Sequence, residues 1–142
     1  MRRNLIPLSD CFMPHTNGVE FLEPLPESCP PIDVTPPSEP TLWRLLKSDA
    51  PSAIDFVSQR ERLPTRPYDD ECLARSISLV TSLAVCRAVI KSPRMKFSHA
   101  VPIAYDPSLG IWHKDSETHV NWWPYKTTDP VSLIGNVENL NG

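Results

Sequence analysis

Residues 76–105 read Ser76-Ile77-Ser78-Leu79-Val80-Thr81-Ser82-Leu83-Ala84-Val85-Cys86-Arg87-Ala88-Val89-Ile90-Lys91-Ser92-Pro93-Arg94-Met95-Lys96-Phe97-Ser98-His99-Ala100-Val101-Pro102-Ile103-Ala104-Tyr105, and their hydrophobic period changes twice. Residues 76–80 alternate, as a half-buried strand does. Thr81-Ser82 can cap the next segment, in which Val85, Cys86, Val89 and Ile90 make one apolar stripe of a helix over residues 83–91. Ser92-Pro93 stops that helix. Alternation returns over residues 97–105, and Pro102 argues for an edge strand or a bulge there.

The same signals extend outward. Upstream, residues 41–47 read as a strand and Ser48-Asp49-Ala50-Pro51 as a helix start, continued as a short helix over residues 52–60. Leu63-Pro64-Thr65-Arg66-Pro67 is a loop. Asp69-Asp70-Glu71 places acid at the N-terminus of another short helix that runs to Arg75, which suits the helix dipole. Downstream, Asp106-Pro107-Ser108-Leu109-Gly110 is turn chemistry. Residues 111–114 and 118–123 form two more strands around Asp115-Ser116-Glu117, and Pro124 ends the second. The expected fold is α+β: a mixed or mainly antiparallel sheet of about five strands with two to three short helices.

The chain divides into a proline-rich arm over residues 1–40, a core over residues 41–128 and a weakly structured tail over residues 129–142. Nine of the 17 prolines precede residue 41, so the arm is expected to be extended or disordered. It also carries Leu5, Ile6, Leu8, Phe12, Met13, Val19, Phe21, Leu22 and Leu25, which could pack on the core or on a protein partner. A net charge of −3 gives no drive toward nucleic acid. No apolar run reaches the roughly 20 residues that cross a bilayer. Arg2-Arg3 is followed by too short an apolar stretch for an export signal, and the expected location is cytoplasmic. Cys11, Cys29, Cys72 and Cys86 show neither zinc-knuckle spacing nor a disulfide framework.

Three groups of residues could carry chemistry. Arg44 sits between apolar neighbours on the first strand, where a planar guanidinium is either snorkelling or held for an anion. Ser76 and Ser78 share a strand face, and Glu117 stands at the entry to a late strand. Next, His113, Asp115, Glu117 and His119 alternate. Same-face neighbours on a strand are about 7 Å apart, too far for one ion, so no metal is expected. Last, in His119-Val120-Asn121-Trp122-Trp123, one tryptophan belongs to the core, and Trp123 beside His119 could floor a pocket for a flat ring.

The order of arginine on the first strand, Ser-x-Ser on the second and glutamate entering a late strand resembles the ADP-ribosyltransferases of the Arg-Ser-Glu type. The likeness spans roughly residues 41 to 123 and rests on Arg44, Ser76, Ser78, Glu117 and the element order. Ile77 stands where the family usually has threonine, and no second carboxylate follows Glu117 two positions on. The resemblance implies NAD as cofactor, with Arg44 on its phosphate, Ser76 and Ser78 shaping the nicotinamide pocket, and Glu117 as the catalytic carboxylate. His119 and Trp123 would complete the cofactor pocket. The other reading is a non-enzymatic interaction module whose proline-rich arm docks on the core or on a partner.

Overall fold

A computed structural model describes residues 19–141. Arg2, Arg3, Cys11 and the apolar residues from Leu5 to Met13, on which part of the arm's reading rests, lie outside them, as does Gly142. The fold is α+β, as expected. Strands β1 (Thr41–Leu46), β2 (Ile77–Val80), β3 (His99–Ala104), β4 (Gly110–Lys114), β5 (His119–Pro124) and β6 (Glu138–Asn139) form one sheet. Its order is β4-β5-β2-β1-β3-β6, with every pair antiparallel. Helices α1 (Gln59–Arg62), α2 (Glu71–Ala74) and α3 (Leu83–Val89) are short. No helix among the described residues is long and apolar enough to cross a membrane.

Alternation sorts the side chains between two faces of the sheet. One face buries Leu42, Leu46, Ile77, Leu79, Val101, Ile103, Val120 and Trp122 in a single cluster with Phe56. Trp112 and Trp122 stack across β4 and β5 with ring centroids 4.6 Å apart. The other face packs Trp43, Leu45, Val80 and Ala100 against Cys86, Val85 and Ile90 of the α3 region. Burial drives the Cys86 thiol up to about 11, which leaves it a packing residue at neutral pH.

The helix expected over residues 52–60 is broken in two. A 3-10 turn, Ala53–Phe56, buries Phe56, and Val57 then takes an extended conformation. Ser58 starts α1 afresh, its hydroxyl accepting the Glu61 N–H at 3.2 Å. α2 is capped by Asp70, and α3 by Ser82, whose hydroxyl accepts from Val85 N–H. The tail carries more order than its composition suggests. Pro130–Leu133 forms a 3-10 turn, β6 pairs with β3, and Leu140 is buried in the α3-side cluster.

The cysteine reading is corrected. Cys29 and Cys72 form a disulfide across 43 residues of sequence. Their spacing hides the pairing because residues 19–40 fold back over the core. Phe21 forms an isolated bridge with Tyr125, and Leu22 N–H donates to Pro124 O at 2.9 Å. The Glu23 carboxylate accepts from Ser58 N–H at 2.8 Å and from Ser58 Oγ–H at 2.6 Å, and also pairs with Arg75. Farther along, Thr35 N–H donates to His113 Nδ1 and Lys114 pairs with Glu39, both at 2.9 Å.

Candidate functional site

β1 and β3 pair along six positions, whereas β1 and β2 pair only at Trp43 opposite Val80. Beyond that pair the two strands part. The Arg44 guanidinium spans the gap, donating from Nη1 to Ser78 O and from Nε to Asp55 O, both at 2.8 Å. One arginine thereby satisfies carbonyls of a strand and of the 3-10 turn beside it.

The parting opens a hollow of about 350 Å³. Arg44, Ser76, Ser78 and His119 all line it, so four of the residues singled out in the sequence come together. Trp43, Leu45, Val80, Met95 and Phe97 supply an apolar wall. Arg62 lines it from α1 and forms no ion pair with a carboxylate among the described residues. Arg44 and Arg62 feel one another. Burial first, and then the Arg62 charge, lower the Arg44 guanidinium to about 10, while Asp55 pulls the other way. The hollow therefore combines positive charge with an apolar wall, the combination suited to an anion that carries a flat ring.

Glu117 and Trp123 fall elsewhere. Glu117 is exposed in the β4–β5 turn, where its carbonyl accepts from Thr81 Oγ–H at 3.1 Å. Its side chain does not line the hollow. Trp123 is fully buried beneath the arm beside Phe21 and Leu22, and its Nε1–H donates to Cys72 O at 3.0 Å. His113 is engaged by the arm, and among the described residues no three His, Cys, Asp or Glu side chains gather as metal ligands.

In place of Glu117, the turn contributes Asp115. Its Oδ1 meets His119 Nδ1 at 2.9 Å and its Oδ2 accepts from Asn121 Nδ2–H at 2.8 Å. Asn121 is buried, and its Oδ1 lies 3.1 Å from the Ser76 hydroxyl. A polar chain thus runs Ser76–Asn121–Asp115–His119 along one face of β2 and β5. Burial raises the Asp115 carboxyl, but the bonds from His119 and Asn121 outweigh it and hold the group below its ordinary range. Sequence reasoning weighed Asp115 only as a metal ligand and did not single out Arg62. The four-residue spacing of Asp115 and His119 was a usable signal once a hairpin was drawn between them, whereas Arg62 fell at the edge of an expected loop.

A second hollow, of about 420 Å³, lies under the arm between Phe56, Val57, Pro130 and Val131. The two glutamates at its rim, Glu23 and Glu61, are both taken up by Arg75. It gathers none of the candidate catalytic or cofactor-binding residues read from the sequence. No family model, curated protein or solved structure matches the chain.

Proposed function

We propose that the hollow between β1 and β2 binds a nucleotide-class anion, with NAD the ligand of first choice, and that the protein acts on it as an ADP-ribosyltransferase-like enzyme. The observation that carries this reading is the convergence of Arg44, Arg62 and His119 on one hollow with an apolar wall. Two neighbouring guanidiniums repel each other unless an anion lies between or beside them. A diphosphate answers that need, and Trp43 and Phe97 offer surface for a ring. Ser76 and Ser78 remain pocket residues in this reading. Glu117 and Trp123 carry no role in it, because their side chains lie outside the hollow.

Calorimetric titration with NAD tests the reading. Saturable binding is expected, weakened about tenfold or more in Arg62→Ala. Arg62 is the informative choice because, unlike Arg44, it is not engaged with backbone carbonyls across the sheet. Absence of heat and of a thermal shift at millimolar NAD would overturn it.

The interaction-module reading draws support from the docking of residues 20–39 on the core through Glu23, Thr35 and Glu39. It gives the cationic hollow nothing to do. On compartment, the Cys29–Cys72 bond favours an oxidising location over the cytoplasmic one expected from composition.

A further inference from the structure

We infer that His119, oriented by Asp115, is the proton-accepting group of the hollow, the part that Glu117 was expected to play. The inference rests on the reading that the hollow binds NAD. His119 Nδ1 faces the ionised Asp115 carboxylate at 2.9 Å, so the ring carries its proton on Nδ1 and donates it to Oδ1. In the neutral ring that tautomer presents the Nε2 lone pair, on a residue that lines the hollow. Asp115 cannot turn away, because its second oxygen is held by Asn121, itself fixed between β2 and β5 next to Ser76. A carboxylate that fixes the tautomer and direction of an imidazole beside a ligand-sized hollow is the arrangement of a general base and its orienter.

The step balances with water as nucleophile. The water oxygen forms a bond to C1′ of the nicotinamide ribose as its proton passes to His119 Nε2. The C1′–N bond breaks, and its electron pair leaves with nicotinamide, which becomes neutral. His119 then returns the proton to solvent. The products are ADP-ribose, nicotinamide and one proton. Asp115 is a positioning residue, since its carboxylate bonds His119 and Asn121 and does not line the hollow.

The test measures NAD binding by calorimetry and nicotinamide release by chromatography on the full chain and on His119→Ala and Asp115→Asn, with thermal melts to establish that each variant is folded. Wild-type turnover is expected. Asp115→Asn, whose side chain does not line the hollow, should bind NAD within a fewfold of wild type, and at saturating NAD both variants should lose about 10²-fold or more in release rate. Added imidazole should restore part of the rate to His119→Ala and none to Asp115→Asn, which a merely structural role for His119 would not produce. Binding without wild-type turnover, or full turnover in either variant, overturns this inference and leaves the binding reading standing. No binding at all overturns both. If His119→Ala fails to fold, His119→Gln takes its place, with loss of rate at saturating NAD as the expected result and an unchanged rate as the overturning one.

Discussion

The Arg44 guanidinium donates to the Ser78 carbonyl oxygen at 2.8 Å, across the point where β1 and β2 part. A side chain here replaces a rung of the backbone ladder. Its second bond, to Asp55 O, ties the 3-10 turn to the same place. Arg44 is thus part of the scaffold of the hollow as well as part of its lining.

Arg44→Ala should therefore destabilise the fold even without ligand. It removes the donor from the part-buried Asp55 carbonyl and from the Ser78 carbonyl, which water can reach, so a loss of about 1–3 kcal/mol is expected. Arg62→Ala should stay within about 0.5 kcal/mol of wild type, because Arg62 is exposed and its side chain holds no such carbonyls among the described residues. Urea denaturation of the two variants side by side separates the roles. Equal, small effects would mean that Ser78 O and Asp55 O find other donors.

Gly110 opens β4 with φ of +152°, and a Cβ placed there would lie 2.4 Å from Trp123 O and 2.8 Å from Pro124 Cα. Backbone cannot retreat as a flexible side chain can. Gly110→Ala should cost about 2–4 kcal/mol and loosen the β4–β5 hairpin that bears Asp115 and His119. Thermal unfolding reads the first effect. Faster amide exchange in β4 reads the second.

The Cys29–Cys72 bond closes a long loop. On a chain-entropy account, a loop of this length contributes about 4 kcal/mol by restricting the unfolded chain. Cys29→Ser or a reducing agent should lower the denaturant midpoint accordingly. Peptide mapping without reduction should recover the cross-linked pair, while Cys86 stays unlabelled until the protein unfolds.

Acid should weaken the fold partly through Asp115. Burial alone would raise this carboxyl, yet the bonds from His119 and Asn121 set it below its unfolded value. A group depressed in this way adds stability above its unfolded pKa, near ~4, and loses it as pH falls through the folded value. Asp115→Asn should flatten the fall in stability below about pH 4. Glu39, lowered by its bond to Lys114, acts in the same direction and keeps a residual slope in the variant. Urea midpoints from neutral to acid pH decide it, and an identical acid slope in both proteins would refute the assignment.

What could be read from the sequence was what short-range periodicity encodes. Residues 76–80 and 97–105 announce strands because alternate positions face one core, and Ser82 and Asp70 announce helix starts because a cap acts three residues away. Alternation also sets Ser76, Ser78 and His119 on one face, but it sends Arg44 to the face of Leu42 and Leu46, and only the gap between β1 and β2 lets its guanidinium reach the hollow. The rest depends on contacts that no local pattern records. The partner of Cys29 is 43 residues away, Glu23 reaches Ser58 across the arm, and Arg44 bonds main-chain oxygens that have no residue signature. Glu117 was placed correctly beside a strand end, but a turn residue's direction is set by the hairpin and not by the alternation before it.

The arm's hold on α1 and α2 changes where the folding unit begins. Each of these helices is a single turn, too short to persist by itself. Glu23 anchors the first at Ser58, and the disulfide anchors the second at Cys72. Gln59, Arg62 and Leu73, which wall the hollow, ride on those two turns. Thr41 opens the first strand, but it is not a boundary at which the chain can be cut. A fragment starting there would lose the mould that gives the hollow its near wall, so a piece that keeps the hollow's shape must include Glu23 and Cys29.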